Sequence, residues 1–239
     1  GEPAGLQLSS LRVRRQIFWR LCRVAAPAAS SQALSSLGFL VLQGLILSYG
    51  DEISAAFSIG NKISNILLMP VLALGSVLAA FVGQNTGAGN CWRARQAYSA
   101  SRNIGLLLAV AGSLLLFPLR GWMVTLLSND TATQAAAYEY LFWVLLTQPL
   151  MSLFQNYLGV FNGLGRTSYS FLMSTCRLWV IRLPLLFFFR RCTGIGASGV
   201  WYAMNISNLL IVVLGAFLFR RLEFTPSPSM AAGPAEKEE

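Results

Sequence analysis

Apolar residues in this chain come in long blocks instead of alternating with polar ones. Six blocks lie at about 25–48, 54–82, 103–119, 135–159, 168–189 and 197–219. A run of about twenty apolar residues spans roughly 30 Å of hydrocarbon as a helix. The blocks therefore predict six transmembrane helices and an all-α polytopic membrane protein. The second block carries Pro70, which removes one helix hydrogen bond and favours a bend. The third has Pro118 near its end, and the fifth carries Arg177, Arg182 and Pro184.

The flanks read differently. Residues 1–24 end in LRVRRQIFWRLCR, where five arginines interleave with Leu, Ile, Phe and Trp at roughly helical spacing. That pattern fits an amphipathic basic helix at the cytoplasmic interface, or the solvated end of a linker. Residues 222–239 are rich in Pro, Ser, Ala and Glu and predict a disordered cytoplasmic tail. The chain thus divides into 1–24, a six-helix body over 25–221, and 222–239. It begins with Gly1 and shows no signal peptide, which reads as a piece of a longer protein.

Composition agrees. Apolar residues make up 55% and charged residues 11%, where soluble domains carry about a quarter charged. A net charge of +9 would suggest nucleic acid in a soluble protein. Here the arginines cluster between apolar blocks, which points to topology and anionic lipid headgroups, not to nucleic acid. With residue 1 cytoplasmic, the inside receives Arg12 to Arg23, Arg93 to Arg102, Arg166, Arg220 and Arg221; the outside receives Arg120, Arg190, Arg191 and, if it reaches the surface, Lys62. Both termini are then cytoplasmic. The acidic YGDE at 49–52 falls outside, in agreement.

Catalytic chemistry finds little support. There is no histidine, and Cys22, Cys91, Cys176 and Cys192 lie far apart with no CxxC spacing, so neither a metal site nor disulfides are expected. The carboxylates all fall outside the middle of the apolar blocks. Paired carboxylates and a Ser-His-Asp set are absent. The chain reads as no enzyme, and it offers no carboxylate of its own for a proton or sodium site.

Polar side chains inside the blocks are the remaining candidates, because in lipid they face the bundle interior or a wet cavity. The first block presents Gln32, Ser36 and Gln43 on one helical face. The second presents Ser58, Asn61, Lys62 and Asn65, with Met69 below. The fourth presents Gln148, Ser152, Gln155, Asn156, Gly159 and Asn162, and the sixth Asn205 and Asn208. Such faces line a shared cavity or act as interhelical glue. Phe39, Phe154, Tyr157 and Trp201 could add cation–π surface. Arg177 and Arg182, five apart, do not share a helical face well. They could snorkel, bind a lipid phosphate, or pair with a group outside this chain.

Several segments occur in an order that resembles one family. They are GNKISNILLMPVLALG at 60–75, FVGQNTGAGN at 81–90 followed by RARQA, NGLGRTS at 162–168, RLWVIRLPL at 177–185 and GASGVWYAMNISN at 196–208. Together they look like the C-terminal half of the multidrug and toxic compound extrusion (MATE) transporters of the MOP superfamily. The resemblance implies a twelve-helix plasma (inner) membrane protein built from two pseudo-symmetric six-helix lobes, with residues 1–24 as the inter-lobe linker. It implies export of drugs and organic cations by alternating access, coupled to Na+ or H+, with the N-terminal lobe of the same protein as partner.

Drug contact would fall on Gln43, Asn65, Met69, Gln155 and Asn156. Pro70 and Pro184 would supply helix bends. Gly83, Gln84, Asn85, Gly87 and Gly89 would form a helix end and tight inner turn. Some members place carboxylates where Ser35 and Leu153 stand here, so the coupling ion is expected in the N-terminal lobe; no cofactor is expected. Two rival readings are a lipid-linked oligosaccharide flippase of the same superfamily, favoured by Arg177 and Arg182, and a non-transporting membrane subunit.

Overall fold

The computed structural model describes residues 15–192 and 195–222, and all of its regular elements are helices. They are α1 (Arg15–Leu47), α2 (Asp51–Gly87), α3 (Cys91–Leu127), α4 (Thr131–Gly163), α5 (Thr167–Cys192) and α6 (Ser198–Arg220). Each expected span lies within one of them. The expected tail beyond residue 222 and the first fourteen residues of the linker lie outside the described residues. The expected boundary at residue 24 falls inside α1, which continues unbroken from Arg15.

The helices are longer than the apolar blocks. The third block begins at about 103, but α3 starts at Cys91 and takes in CWRARQAYSASR. Ala, Arg and Gln are good helix formers whether or not lipid surrounds them, so the basic stretch is helix and not loop. Among the described residues, four helices are long and apolar enough to cross a membrane: α2, α3, α5 and α6. The apolar part of α1 is the shorter Gln32–Leu47.

The departure of α4 from this group has a packing cause. It is the central helix, packed by α2, α3 and α6, and its buried residues run from Thr133 to Gly163. A helix screened from lipid by its neighbours can carry polar residues that a peripheral one cannot. Outer faces of α2 and α3 show the opposite character, with Leu72, Val77, Leu107 and Leu114 exposed.

Small residues let α2 and α4 approach closely. A Cβ on Gly159 would lie 2.6 Å from the Gly75 carbonyl oxygen, and one on Gly163 would lie 2.6 Å from that of Ala79. Farther along, a Cβ on Gly83 would lie 3.2 Å from the Gly163 oxygen. Gly75, Ala79 and Gly83 recur every fourth residue on α2 and meet Gly159 and Gly163 on α4, a small-xxx-small seam on both sides. Gly83 therefore sits in this seam and not in the expected turn.

The turn itself is confined to Ala88–Asn90. Helix α2 runs through Gln84, Asn85 and Gly87, and only Gly89 adopts a positive φ, of 77°. The Asn90 N–H donates to the Asn85 carbonyl at 2.7 Å, closing the helix end as a left-handed C-cap does. Helix α4 ends the same way, with Gly165 at φ 69° and the Arg166 N–H donating to the Phe161 carbonyl at 2.9 Å. At the other end of α4, Asp130 caps the helix through Oδ2. It accepts from the Thr133 hydroxyl at 2.6 Å and from the Thr133 N–H at 2.9 Å. These bonds hold its carboxyl below the ordinary value of 3.8, the hydroxyl bond being the larger cause.

Candidate functional site

Helix α5 changes its winding in the middle. Its first part, Thr167–Thr175, and its last, Leu183–Cys192, are α-helical, and Cys176–Arg182 is π-helical. The Leu183 N–H reaches back to the Leu178 carbonyl, the fifth residue before it. Pro184 gives a local reason. It has no N–H for the Val180 carbonyl, and its ring crowds the carbonyl four residues back, a clash that the wider π turn relieves.

That winding decides where the two arginines point. In an α-helix, positions five apart are separated by about 140° around the axis. Bonds closed to the fifth residue instead bring position i+5 above position i. Arg177 and Arg182 accordingly open onto one cavity of about 510 Å³ between α1 and α5. The expectation that they do not share a face well is corrected by the π turn.

Its α5 wall consists of Ser174, Arg177, Leu178 and Arg182. The α1 wall presents Gln32, Ser35 and Ser36, then Phe39 and Leu40. The helices meet closely because Gly38 lies against Leu178, where a side chain would collide. The Trp179 Nε1–H also donates to the Leu34 carbonyl at 3.0 Å.

The arginines differ in how they are held. Arg182 is buried, with Nε donating to Ser207 Oγ at 3.0 Å and Nη2 to Asn208 Oδ1 at 2.7 Å. Arg177 is half-buried. Its Nη1 lies 3.5 Å from the Met151 sulfur, and its guanidinium carbon lies 4.5 Å from the centre of the Phe154 ring. Its Nε is sealed from solvent without a hydrogen-bond partner. The partners of both arginines are thus neutral.

The five residues expected to contact substrate do not converge on this cavity. Gln43 donates from Nε2 to Ser54 Oγ at 3.0 Å, linking α1 to α2. Asn156 is buried against α3, where its Oδ1 accepts from the Ser101 hydroxyl at 2.6 Å. Gln155 is half-buried, with its backbone carbonyl facing Gly75. Asn65 and Met69 are exposed on α2. Elsewhere Gln148 donates from Nε2 to Ser64 Oγ at 2.7 Å. Much of the polar pattern is therefore interhelical glue.

Gln32 and Ser36, on the first polar face, do line the cavity, and so does Ser35. Leu153 lies elsewhere, half-buried on α4. Of the expected bends, Pro70 lies inside α2, and Pro184 lies just past the π turn, at the second residue of the α-helical part that follows.

The MatE family model matches residues 27–188. An FAD transporter of Shewanella oneidensis is 28% identical over 225 residues, covering 92% of this chain and 48% of that protein. The probable multidrug resistance protein YoeA of Bacillus subtilis is 22% identical over 219 residues, covering 90% and 47%. Among solved structures, an outward-facing multidrug resistance MATE family transporter of the MOP superfamily superposes with a TM-score of 0.81 at 19% identity, covering 90% of this chain and 48% of that one. A MOP superfamily transporter from Pyrococcus furiosus, described by the reverse polarity of its binding pocket, gives 0.82 at 19% identity, with the same coverage. The chain spans about half the length of the relatives it matches.

Proposed function

Because the chain belongs to the MatE family, we propose that it forms one six-helix lobe of a transporter that moves amphipathic small molecules by alternating access. The lobe would be the C-terminal one, and its partner an N-terminal lobe of the same protein. The observation that carries this reading is the family match over residues 27–188 on a bundle with a polar-lined cavity between α1 and α5. The arginine bias supports a plasma-membrane orientation with both termini cytoplasmic.

Drugs and other xenobiotics, organic cations among them, are the proposed cargo, in exchange for Na+ or H+. The described carboxylates, Asp51, Glu52, Asp130 and Glu139, all lie at or near the starts of α2 and α4. The coupling carboxylate therefore belongs in the N-terminal lobe. Asn65 and Met69, exposed on α2, are free to meet cargo or the facing lobe, whereas Gln43 and Asn156 are engaged with Ser54 and Ser101 and Gln155 is half-buried. The relative named as an FAD transporter adds an anionic dinucleotide to the cargo classes worth testing. A flippase for lipid-linked oligosaccharides is the second reading, favoured by the two arginines on one cavity wall.

The test is transport by everted vesicles carrying the full-length gene product. Ethidium and FAD are offered separately, under a sodium gradient and then a proton gradient. Movement of either under one gradient supports the antiporter and identifies the ion. No movement of either, with the protein present in the membrane, excludes it and leaves the flippase reading to be tested with a labelled lipid pyrophosphate.

A further inference from the structure

The two arginines pose an electrostatic problem. Burying cationic groups is costly unless an opposite charge or a full set of acceptors offsets it. Arg182 spends Nε and Nη2 on a hydroxyl and an amide, and neither acceptor carries a charge. Arg177 has a thioether and a ring beside it, and a sealed Nε with no partner. Two like charges open onto one cavity, and the described residues that line it with them are neutral. Guanidinium groups are suited to phosphate because their forked N–H donors match its oxygens. The hydroxyls of Ser35 and Ser36 stand on the facing wall, and Phe39 and Leu40 continue it as an apolar surface.

We infer that the cavity between α1 and α5 binds the phosphate-bearing end of an amphipathic anion. Arg177 and Arg182 are its donors, Ser35 and Ser36 assist, and the planar or acyl part of the ligand lies along Phe39 and Leu40. This rests on the transporter reading for its meaning, but the site itself does not depend on transport. The same chemistry fits a soluble pyrophosphate ester and the headgroup of an anionic lipid.

The experiment uses the full-length gene product in nanodiscs of phosphatidylcholine. FAD is titrated by its fluorescence, with riboflavin as the phosphate-free control and ethidium as the cationic one. The expected result is that FAD binds and riboflavin binds at least about tenfold more weakly. Arg177→Gln and Arg182→Gln should each weaken FAD about ten- to a hundredfold, while ethidium is unaffected. Arg177→Gln is the deciding variant, since it gives up only the contacts to Met151 and Phe154, whereas Arg182→Gln also loosens α6. A second arm adds phosphatidylglycerol and measures the lipid retained after purification. Arginine-dependent retention of that lipid, with no FAD binding, supports the site and makes its ligand a lipid phosphate.

Binding of neither ligand, or binding that Arg177→Gln leaves unchanged, overturns the inference. Gradient-driven ethidium efflux that continues in that case keeps the transporter reading intact. Arginine-dependent FAD binding without any transport does the reverse.

Discussion

Arg182 donates from Nη2 to the Asn208 side-chain oxygen at 2.7 Å, joining α5 to α6 at the residue where the π turn ends. Because Arg182 is buried, its acceptors matter more to stability than surface ones would. Asn208→Leu should destabilise the bundle by about 2 kcal/mol. In an Arg182→Met background, the same substitution should cost far less. Thermal unfolding of the four proteins in detergent completes the cycle, and equal costs in both backgrounds would show that the bond contributes nothing.

The half-buried Arg177 is expected to trade stability for binding. Arg177→Met removes a charge with no ionic partner and fills the space beside Met151 and Phe154. With no anion present it should raise stability by about 1–2 kcal/mol. A lower unfolding temperature for the variant would mean that the arginine is already neutralised in the folded protein.

Glycine substitutions distinguish the seam from the turn. Gly159→Ala or Gly163→Ala forces a Cβ to within 2.6 Å of a backbone oxygen on α2, and should cost about 1–3 kcal/mol. Gly89→Ala meets no atom but must hold φ at 77°, at a cost of about 1 kcal/mol. Gly87→Ala, helical and with open space around it, should be neutral or slightly stabilising. Equal unfolding temperatures across the set would refute the seam.

Pro184→Ala restores an N–H that Val180 can accept, and should let α5 rewind as a continuous α-helix. Arg177 and Arg182 would then part around the axis. Spin labels at positions 177 and 182, in proteins with and without Pro184, report the change. An unaltered distance would mean that the π turn has another cause.

Asp130 supplies a pH signature. Its folded carboxyl titrates below its ordinary value, so its contribution is fully present above about 3.8 and is lost as the pH falls through the folded value. The gap in unfolding temperature between wild type and Asp130→Ala should therefore stay constant from neutral pH down to about 4 and close below it. A gap that opens on acidification would contradict the cap.

The six helices were legible in the hydrophobic blocks because lipid exposure enforces apolar runs on whichever helices face it. The ends of α3 were not, since Arg93, Arg95 and Arg102 look like loop to a hydropathy reading but suit a helix leaving the membrane. Polar residues were legible as polar but not by partner. Asn156 and Gln155 are neighbours in sequence, yet Asn156 turns into α3, where Ser101 holds it. The arginine pair escaped for a different reason. Spacing arguments assume 3.6 residues per turn, and the segment carrying Arg177 and Arg182 does not keep that pitch. Pro184 was the available signal, since a proline in a helix obliges the winding before it to adjust.

The seam between Gly75, Ala79 and Gly83 on one helix and Gly159 and Gly163 on the other is backbone against backbone. Such a contact has no side chains that could switch rotamer to let one helix slide on the other. It acts as a keel: α2 and α4 must travel together. Helix α5 meets α1 chiefly through side chains, Leu178 and Trp179 among them, and contains a stretch already wound outside the regular pitch. Compliance in this bundle is thus concentrated at the α1–α5 wall. A probe of hydrogen exchange would find the opening of that wall, and the cavity's change in width, far faster than any shear across the keel.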